Sequence, residues 1–198
     1  MPMGVKMNVM LDLETFGTRP GCAIRSIGAV VFDPHDEKVI GPGFYKNISD
    51  VSCREARLHV DPSTVEWWAK QSQQANDALM QDQLTLTEVA ERFDNWWRKH
   101  GAVFVWSHGA NFDEPIWTAA MHAIGRKVPW RYWDSRCTRT VFDAAQFDSK
   151  SVKRNGIHHN ALDDALHQAI CVQKAYAKIN GGESDVKGTG KILPQVRS

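Results

Sequence analysis

Asp12 and Glu14 stand two residues apart in Leu11-Asp12-Leu13-Glu14-Thr15, at the end of an apolar run that begins near Val9. In an extended chain, residues i and i+2 project to the same side. The two carboxylates therefore leave the carboxyl end of a strand together, close to the first loop. Adjacent carboxylates repel when both are ionised, and their oxygens suit a hard divalent cation such as Mg2+ or Mn2+. The alternative is a strand that ends in two solvated acids.

Three further residues bear on that pair. Asp113 follows a short apolar stretch and opens a helical pattern. Asp164 lies inside the last long helical pattern, near the edge of the side marked by Leu162, Ala165 and Ala169. His159 precedes Asp164 by five residues. Four carboxylates can hold two cations about 3.5–4 Å apart, which stabilises the attacking and leaving oxygens of phosphodiester cleavage. A histidine that titrates near neutrality can accept a proton during the attack. His159 has that chemistry, and His158 competes with it. Each residue also has a plain structural reading. Asp113 would be a helix-start acid favoured by the dipole, and Asp164 and His159 would be helix-surface residues.

The elements that must position these groups follow from hydrophobic period and turn residues. A first, central strand is predicted over 7–13, and a second, interior to the sheet, over 24–33, with Ile27, Ala29 and Val31 on one face and Gly28, Val30 and Phe32 on the other. A hairpin partner over 38–45 carries glycines that mark a bulge. Short helices are predicted over 49–57, over 64–74 after Asp61-Pro62-Ser63, and over 76–83. An amphipathic helix over 87–99 presents Val89, Phe93, Trp96 and Trp97, with Thr87 as its cap. A strand over 102–106 leads to a helix over 114–125, buried through Ile116, Ala119, Ala120 and Ala123. A turn with a short strand over 129–134 leads to a helix over 136–145. A polar, basic loop over 148–158 precedes a helix from His159 or Asn160 to Lys178. Early strands, a strand–helix pair and terminal helices define an α/β fold: a mixed sheet with helices on its faces.

At 198 residues the chain suffices for one domain, predicted over 1–182, with a loose leader over 1–6 and a tail over 183–198. The formal charge of +1 gives no overall pull toward nucleic acid, so a polyanion must meet a local patch or a cation. The four cysteines are scattered without zinc or redox spacing, which fits reduced thiols and a cytoplasmic protein. No apolar stretch is long enough to cross a membrane, and no signal peptide is evident.

In order and spacing these residues resemble the DEDDh group of 3'-5' exonucleases in the ribonuclease H-like superfamily. That group includes the proofreading subunit of bacterial DNA polymerase III, ribonuclease T and oligoribonuclease relatives. Asp12-Leu13-Glu14-Thr15 resembles the first motif, Ser26-Ile27-Gly28-Ala29-Val30 the strand after it, Asn111-Phe112-Asp113 the second motif and His159-Asn160-Ala161-Leu162-Asp163-Asp164-Ala165 the third. The similarity spans roughly residues 7–178. The stretch 12–18 and Val65-Glu66-Trp67-Trp68 are more similar to a branch with a mycobacterial-type exoribonuclease and exonuclease VIII-like proteins. The resemblance implies a five-stranded ribonuclease H-like sheet flanked by helices, with the four acids converging at its carboxyl edge. It also implies two Mg2+ or Mn2+ held by Asp12, Glu14, Asp113 and Asp164, and hydrolysis from a free 3' end to nucleoside 5'-monophosphates. Asp12 is then the ligand shared by both ions, Glu14 also orients the attacking water, and His159 rather than His158 is the base.

For a single strand entering such a site, Thr15, Phe16, Trp67 and Asn111 are the candidate contacts, with Ile24 a further one for base stacking. Arg19 and Arg25 are candidates to meet phosphates. Lys150, Lys153 and Arg154 lie where they can steer a polyanion, and their loop can close over it. His108 is expected to hydrogen-bond locally. RNA is favoured slightly over DNA, and a homodimer built on tryptophan-rich helices is expected. A nuclease of other polarity or mode, or a binding module without turnover, are the alternatives.

Overall fold

The computed structural model describes residues 7–38 and 40–181; the leader and the tail lie outside them. Five strands form one mixed sheet: β1 (Met7–Thr15), β2 (Ile24–Phe32), β3 (Ile40–Asn47), β4 (Ala102–Ser107) and β5 (Ser135–Cys137), in the order β3-β2-β1-β4-β5. β1, β2 and β3 are antiparallel neighbours, whereas β4 runs parallel to β1 and β5 parallel to β4. The helices are α1 (Asp50–Glu55), α2 (Pro62–Trp68), α3 (Gln73–Met80), α4 (Leu86–Lys99), α5 (Asp113–Ala123), α6 (Thr138–Ala144) and α7 (Ala161–Gly181).

The alternation along β1 divides the core. Val9, Leu11 and Leu13 face a cluster built with Val89, Phe93 and Trp97 of α4 and Ile116, Trp117 and Ala120 of α5. Met10 faces the other way, into a cluster with Val30, Phe32, Trp106, Phe142 of α6 and Ala165, Ala169 and Val172 of α7. β2 is buried along its whole length, as an interior strand with apolar residues on both faces must be. The register shift between Val30 and Phe32 on the β3 side is the irregularity its glycines mark.

Several elements differ from the sequence reading. α4 begins at Leu86 because Thr85, not Thr87, caps it: the Thr85 hydroxyl accepts from the Glu88 amide and Glu88 returns to the Thr85 amide, a complete capping box. The helix anticipated over 64–74 stops at Trp68 and a new one starts at Gln73, capped by Ser72. On α5 the buried face is Ile116, Trp117, Ala120 and Met121, while Ala119 is half-buried and Ala123 exposed, so the stripe runs one step later in each turn. The stretch before Asp134 is a 3-10 turn, and the strand lies after it, over residues read as the start of a helix. Pairing with β4 outweighs local preference there.

Candidate active site

The sheet's geometry opens the site. β4 pairs with β1 only as far as Met10↔Trp106, whereas β2 continues alongside Asp12 and Glu14. Beyond that point the β4-side amides of β1 lack a strand partner. The Leu13 amide instead donates to Asp113 Oδ1 at 3.1 Å, so the first turn of α5 is tied to the acid-bearing end of β1. Asp12 and Glu14, two residues apart like Met10 and Asp12, point to the face that α7 covers. α7 lies close because Gly28, paired with Asp12 across the sheet, has no Cβ: one built there would stand 2.1 Å from the Ala161 carbonyl carbon.

α7 then delivers two residues one turn apart. Asp164 joins Glu14 and His159 in a group whose ligand atoms all lie within 4.8 Å of one another. Gln168 donates from Nε2 to Asp12 Oδ1 at 2.7 Å. Asn160 caps the helix by accepting from the Leu162 and Asp163 amides. His159 just before it takes φ +64°, the left-handed conformation in which a His is found more often than most residues. Its ring meets Trp67 edge-on at 4.8 Å and Trp68 at 5.9 Å. Trp68 is in turn fixed by its indole N–H on the Thr15 carbonyl at 2.8 Å. The competing pair is engaged elsewhere: Asp163 accepts from the Ile157 amide, and His158 faces Arg154.

Burial pushes all four acids toward their protonated forms, and repulsion by the other cleft acids adds to it at Asp12 and Glu14. Glu14 rises to about 8 through burial and then the charges of Asp164 and Asp113, against the pull of Arg25 and Arg154. Burial lifts Asp113 to about 7, opposed by the Leu13 amide. Asp12 stands well above the usual carboxylate range, through burial and then Asp113, Glu14 and Asp164, with the Gln168 amide opposing. Asp164 is also raised by burial, partly offset by its ion pair with Arg154. His159 is pushed down by burial and then by His158 and Arg154, and so is neutral at neutral pH. Four inward-facing carboxylates that cannot all ionise by themselves are a donor set suited to divalent cations with oxygen preference.

Two connected hollows adjoin these groups. The acid cleft, about 360 Å³, is lined by Asp12, Glu14, Asp113, Asp164 and His159, with Asn111, Phe112, Arg139 and Gln168 at its margins. A more apolar pocket of about 410 Å³ shares Leu13, Glu14 and Phe112 with it and is walled by Thr15, Trp67 and Trp68. Of the candidate strand contacts, Thr15 and Trp67 line the apolar pocket and Asn111 the acid cleft. Phe16 lines neither hollow and packs under the Arg25 guanidinium at 4.7 Å. Arg25 is itself buried, between Phe16 and Trp68, and bonded to Asn76, so it faces Glu14 electrostatically and not a strand. Ile24 is fully buried. Arg19 is exposed near Asp61 and His59, outside both hollows. His108 bonds locally, 2.8 Å from Thr138 Oγ1. Gln168, Phe112 and Arg139 were missed. Gln168 was discoverable, because four residues past Asp164 is the same helix face.

A mixed five-stranded sheet with carboxylates from three elements meeting at its edge defines the fold class of ribonuclease H-like nucleases. The description "3'-5' exoribonuclease Rv2179c-like domain" matches residues 7–176, and the chain belongs to that family of 3'-5' exonucleases. An exodeoxyribonuclease of Enterobacteria phage T4 is 24% identical over 164 residues, 68% of this chain and 70% of that protein. The nuclease domain of 3'hExo, a DEDDh family member bound to rAMP, superposes with TM-score 0.54 at 11% identity, covering 91% of this chain and 96% of that one. E. coli ExoI in a zinc-bound single-stranded DNA complex gives TM-score 0.59 at 15% identity, over 87% of this chain and 40% of ExoI.

Proposed function

We propose that this exonuclease removes nucleoside 5'-monophosphates from the 3' end of single-stranded nucleic acid, RNA in preference to DNA, with two Mg2+ or Mn2+ held by Asp12, Glu14, Asp113 and Asp164. The observation that carries the reading is the meeting of Glu14, His159 and Asp164 ligand atoms within 4.8 Å, beside an apolar pocket of about 410 Å³. Divalent cations there supply Lewis acidity to the phosphate and lower the pKa of a bound water. The chain's own residues do the rest. Trp67 and Phe112 offer apolar surface for the terminal base, and Thr15 closes the same pocket. Glu14 orients the water. A ring nitrogen of neutral His159 accepts its proton as the water oxygen bonds to phosphorus. The bond from phosphorus to the 3' oxygen of the preceding nucleotide breaks, and solvent protonates that oxygen.

The family description supports RNA; the phage relative, named an exodeoxyribonuclease, favours DNA as the second reading. End-labelled RNA and DNA strands with free or 3'-phosphate-blocked ends, digested side by side with Mn2+, decide this. Blocked ends are expected to resist, and Asp12→Asn to lower the rate by at least about a hundredfold. Equal digestion of blocked strands, or an active Asp12→Asn, would overturn the reading.

A cytoplasmic location and a homodimer complete the proposal. The thiols of Cys22, Cys53, Cys137 and Cys171 are unpaired, which suits a reducing compartment. Trp97 of α4 is spent on the core and Trp96 packs against it, so the surface that supports self-association is the exposed Tyr132–Trp133 pair. Light scattering of the protein and of Trp133→Ser tests it; a monomeric parent protein refutes the dimer.

A further inference from the structure

Past Gln168 the acid cleft continues into a second cavity of about 440 Å³, and both Gln168 and His108 line the two. Its remaining wall includes Lys150, Lys153, Arg154 and His167, and no carboxylate among the described residues lines it. The apolar pocket adjoins the acid cleft on the opposite side, through Leu13, Glu14 and Phe112, and shares no lining residue with the basic cavity. The order is therefore apolar pocket, carboxylates, cations.

Arg154 stands at the boundary between the last two. Its Nη2 is paired with Asp164, its Nη1 lies 3.0 Å from His158 Nε2, and its Nε is buried without a hydrogen-bond partner among the described residues. The guanidinium is thus the counter-ion of a carboxylate that the proposed mechanism needs for a divalent cation. A cation that takes Asp164 leaves Arg154 without its anion, and a part-buried guanidinium without one is costly. The cavity it already lines carries Lys150 and Lys153 and no carboxylate among the described residues, so an incoming anion is the partner this wall offers it. Phosphodiester oxygens match its planar fork of donors.

We propose that the basic cavity is the subsite for the phosphodiester backbone on the 5' side of the bond being cut, and that Arg154 passes from Asp164 to that backbone when a cation takes the carboxylate. The assignment of side rests on the function proposed above: a strand whose 3'-terminal base fills the apolar pocket crosses the carboxylates and meets Lys150 and Lys153 next. Cation and strand each take one half of the Arg154–Asp164 pair, so each favours the other's binding.

Anisotropy of 5'-labelled uridine and deoxythymidine homopolymers, in EDTA and over a range of salt, tests the subsite. Lys150→Gln/Lys153→Gln is expected to weaken binding and to reduce the slope of log affinity against log salt by about 1.4, two contacts at about 0.7 each. With Mn2+ and the same strands, its KM is expected to rise about tenfold or more while kcat changes little. An unchanged salt slope overturns the subsite. Calorimetric titration of the free protein with Mn2+ tests the exchange. Arg154→Gln is expected to bind Mn2+ about tenfold more tightly than the unaltered chain, and Arg154→Lys, which keeps the charge, to lie between them. Equal or weaker Mn2+ binding by Arg154→Gln, in protein that melts cooperatively, overturns the exchange. These are binding readouts, so loss of the 3'-exonuclease reading in the blocked-end digestion leaves them decidable.

Discussion

Asp12 and Asp113 each have one oxygen committed to the protein in a way that fixes where the other points. Gln168 holds Asp12 by Oδ1 at 2.7 Å, and Asp113 Oδ1 takes the Leu13 amide at 3.1 Å. The Gln168 bond is the more exposed to test, because among the described residues its Oε1 is buried without a partner and the side chain has no other hydrogen bond. Partners that orient metal ligands are worth about 10–100-fold in affinity or activity. Gln168→Leu is therefore expected to weaken Mn2+ binding by roughly that factor while the fold persists, read by calorimetry beside a thermal melt; an unaltered affinity makes Gln168 a bystander. Trp67 has a double contact, with the apolar pocket and with the edge of the His159 ring. Trp67→Ala is expected to raise KM for a strand about tenfold and to lower kcat, with Trp67→Phe restoring most of both. Restoration by Leu as full as by Phe would argue for bulk and against stacking. The four acids and the histidine of the cleft were legible because such groups at helix and strand ends are costly without a purpose. Gln168 was not, because an uncharged amide on a helix is unremarkable until the strand beneath it is known.

At the level of elements, the decisive contact is α7 against β2. A Cβ on Gly28 would meet backbone, the Ala161 carbonyl carbon at 2.1 Å and the Leu162 nitrogen at 2.2 Å, and backbone at a helix start has little freedom to give way. A Cβ on Gly43 would meet the Leu162 side chain, Cδ1 at 2.9 Å and Cδ2 at 3.3 Å, the end of a flexible side chain. Gly28→Ala is expected to cost at least about 1–3 kcal/mol in urea unfolding and to abolish most activity by lifting Asp164 from Glu14, with Gly43→Ala much milder. Equal effects at the two glycines would show that close helix approach is not what sets the site. The α4 cap offers a second check: Thr85→Ala is expected to cost about 1 kcal/mol and Thr87→Ala only a few tenths. Strand alternation and helical period located most elements, including the central strand and the terminal helix. They misplaced the α4 cap by reading inward from the hydrophobic stripe and missing Thr85-x-x-Glu88. They placed β5 too early, over 129–134, because three residues, Ser135, Arg136 and Cys137, carry no pattern; their strand exists through pairing with β4.

Across the whole molecule, the cleft makes stability, protons and divalent cations interdependent. The unfolded chain ionises its carboxyls near 4, whereas the folded, cation-free protein holds protons on Asp113 up to about 7 and on Glu14 up to about 8, with Asp12 and Asp164 also raised. A raised carboxyl pKa means that the folded state binds more protons than the unfolded one, so its contribution is complete in acid and is lost as pH climbs through the folded value. His108, His159 and His167 are pushed down and act in the opposite sense, but only below about 6.5, where an unfolded histidine takes up its proton. Between about pH 7 and pH 8 the carboxyls therefore dominate. In EDTA the melting midpoint is expected to fall across that interval, and Glu14→Gln to raise it at pH 8, about 2–4 °C for each kcal/mol of repulsion relieved in a chain of this size. Mn2+ requires ionised ligands and binds the folded state alone, so its stabilisation is expected to be larger at pH 8 than at pH 7, with proton release on binding. Repeating the titration in two buffers of different ionisation enthalpy counts those protons. A midpoint in EDTA that is flat over this interval, together with Mn2+ binding that releases none, would mean that the four acids are already ionised without a cation. The cleft would then be an ordinary anionic surface, and the cation would have to be held by something other than the relief of their repulsion.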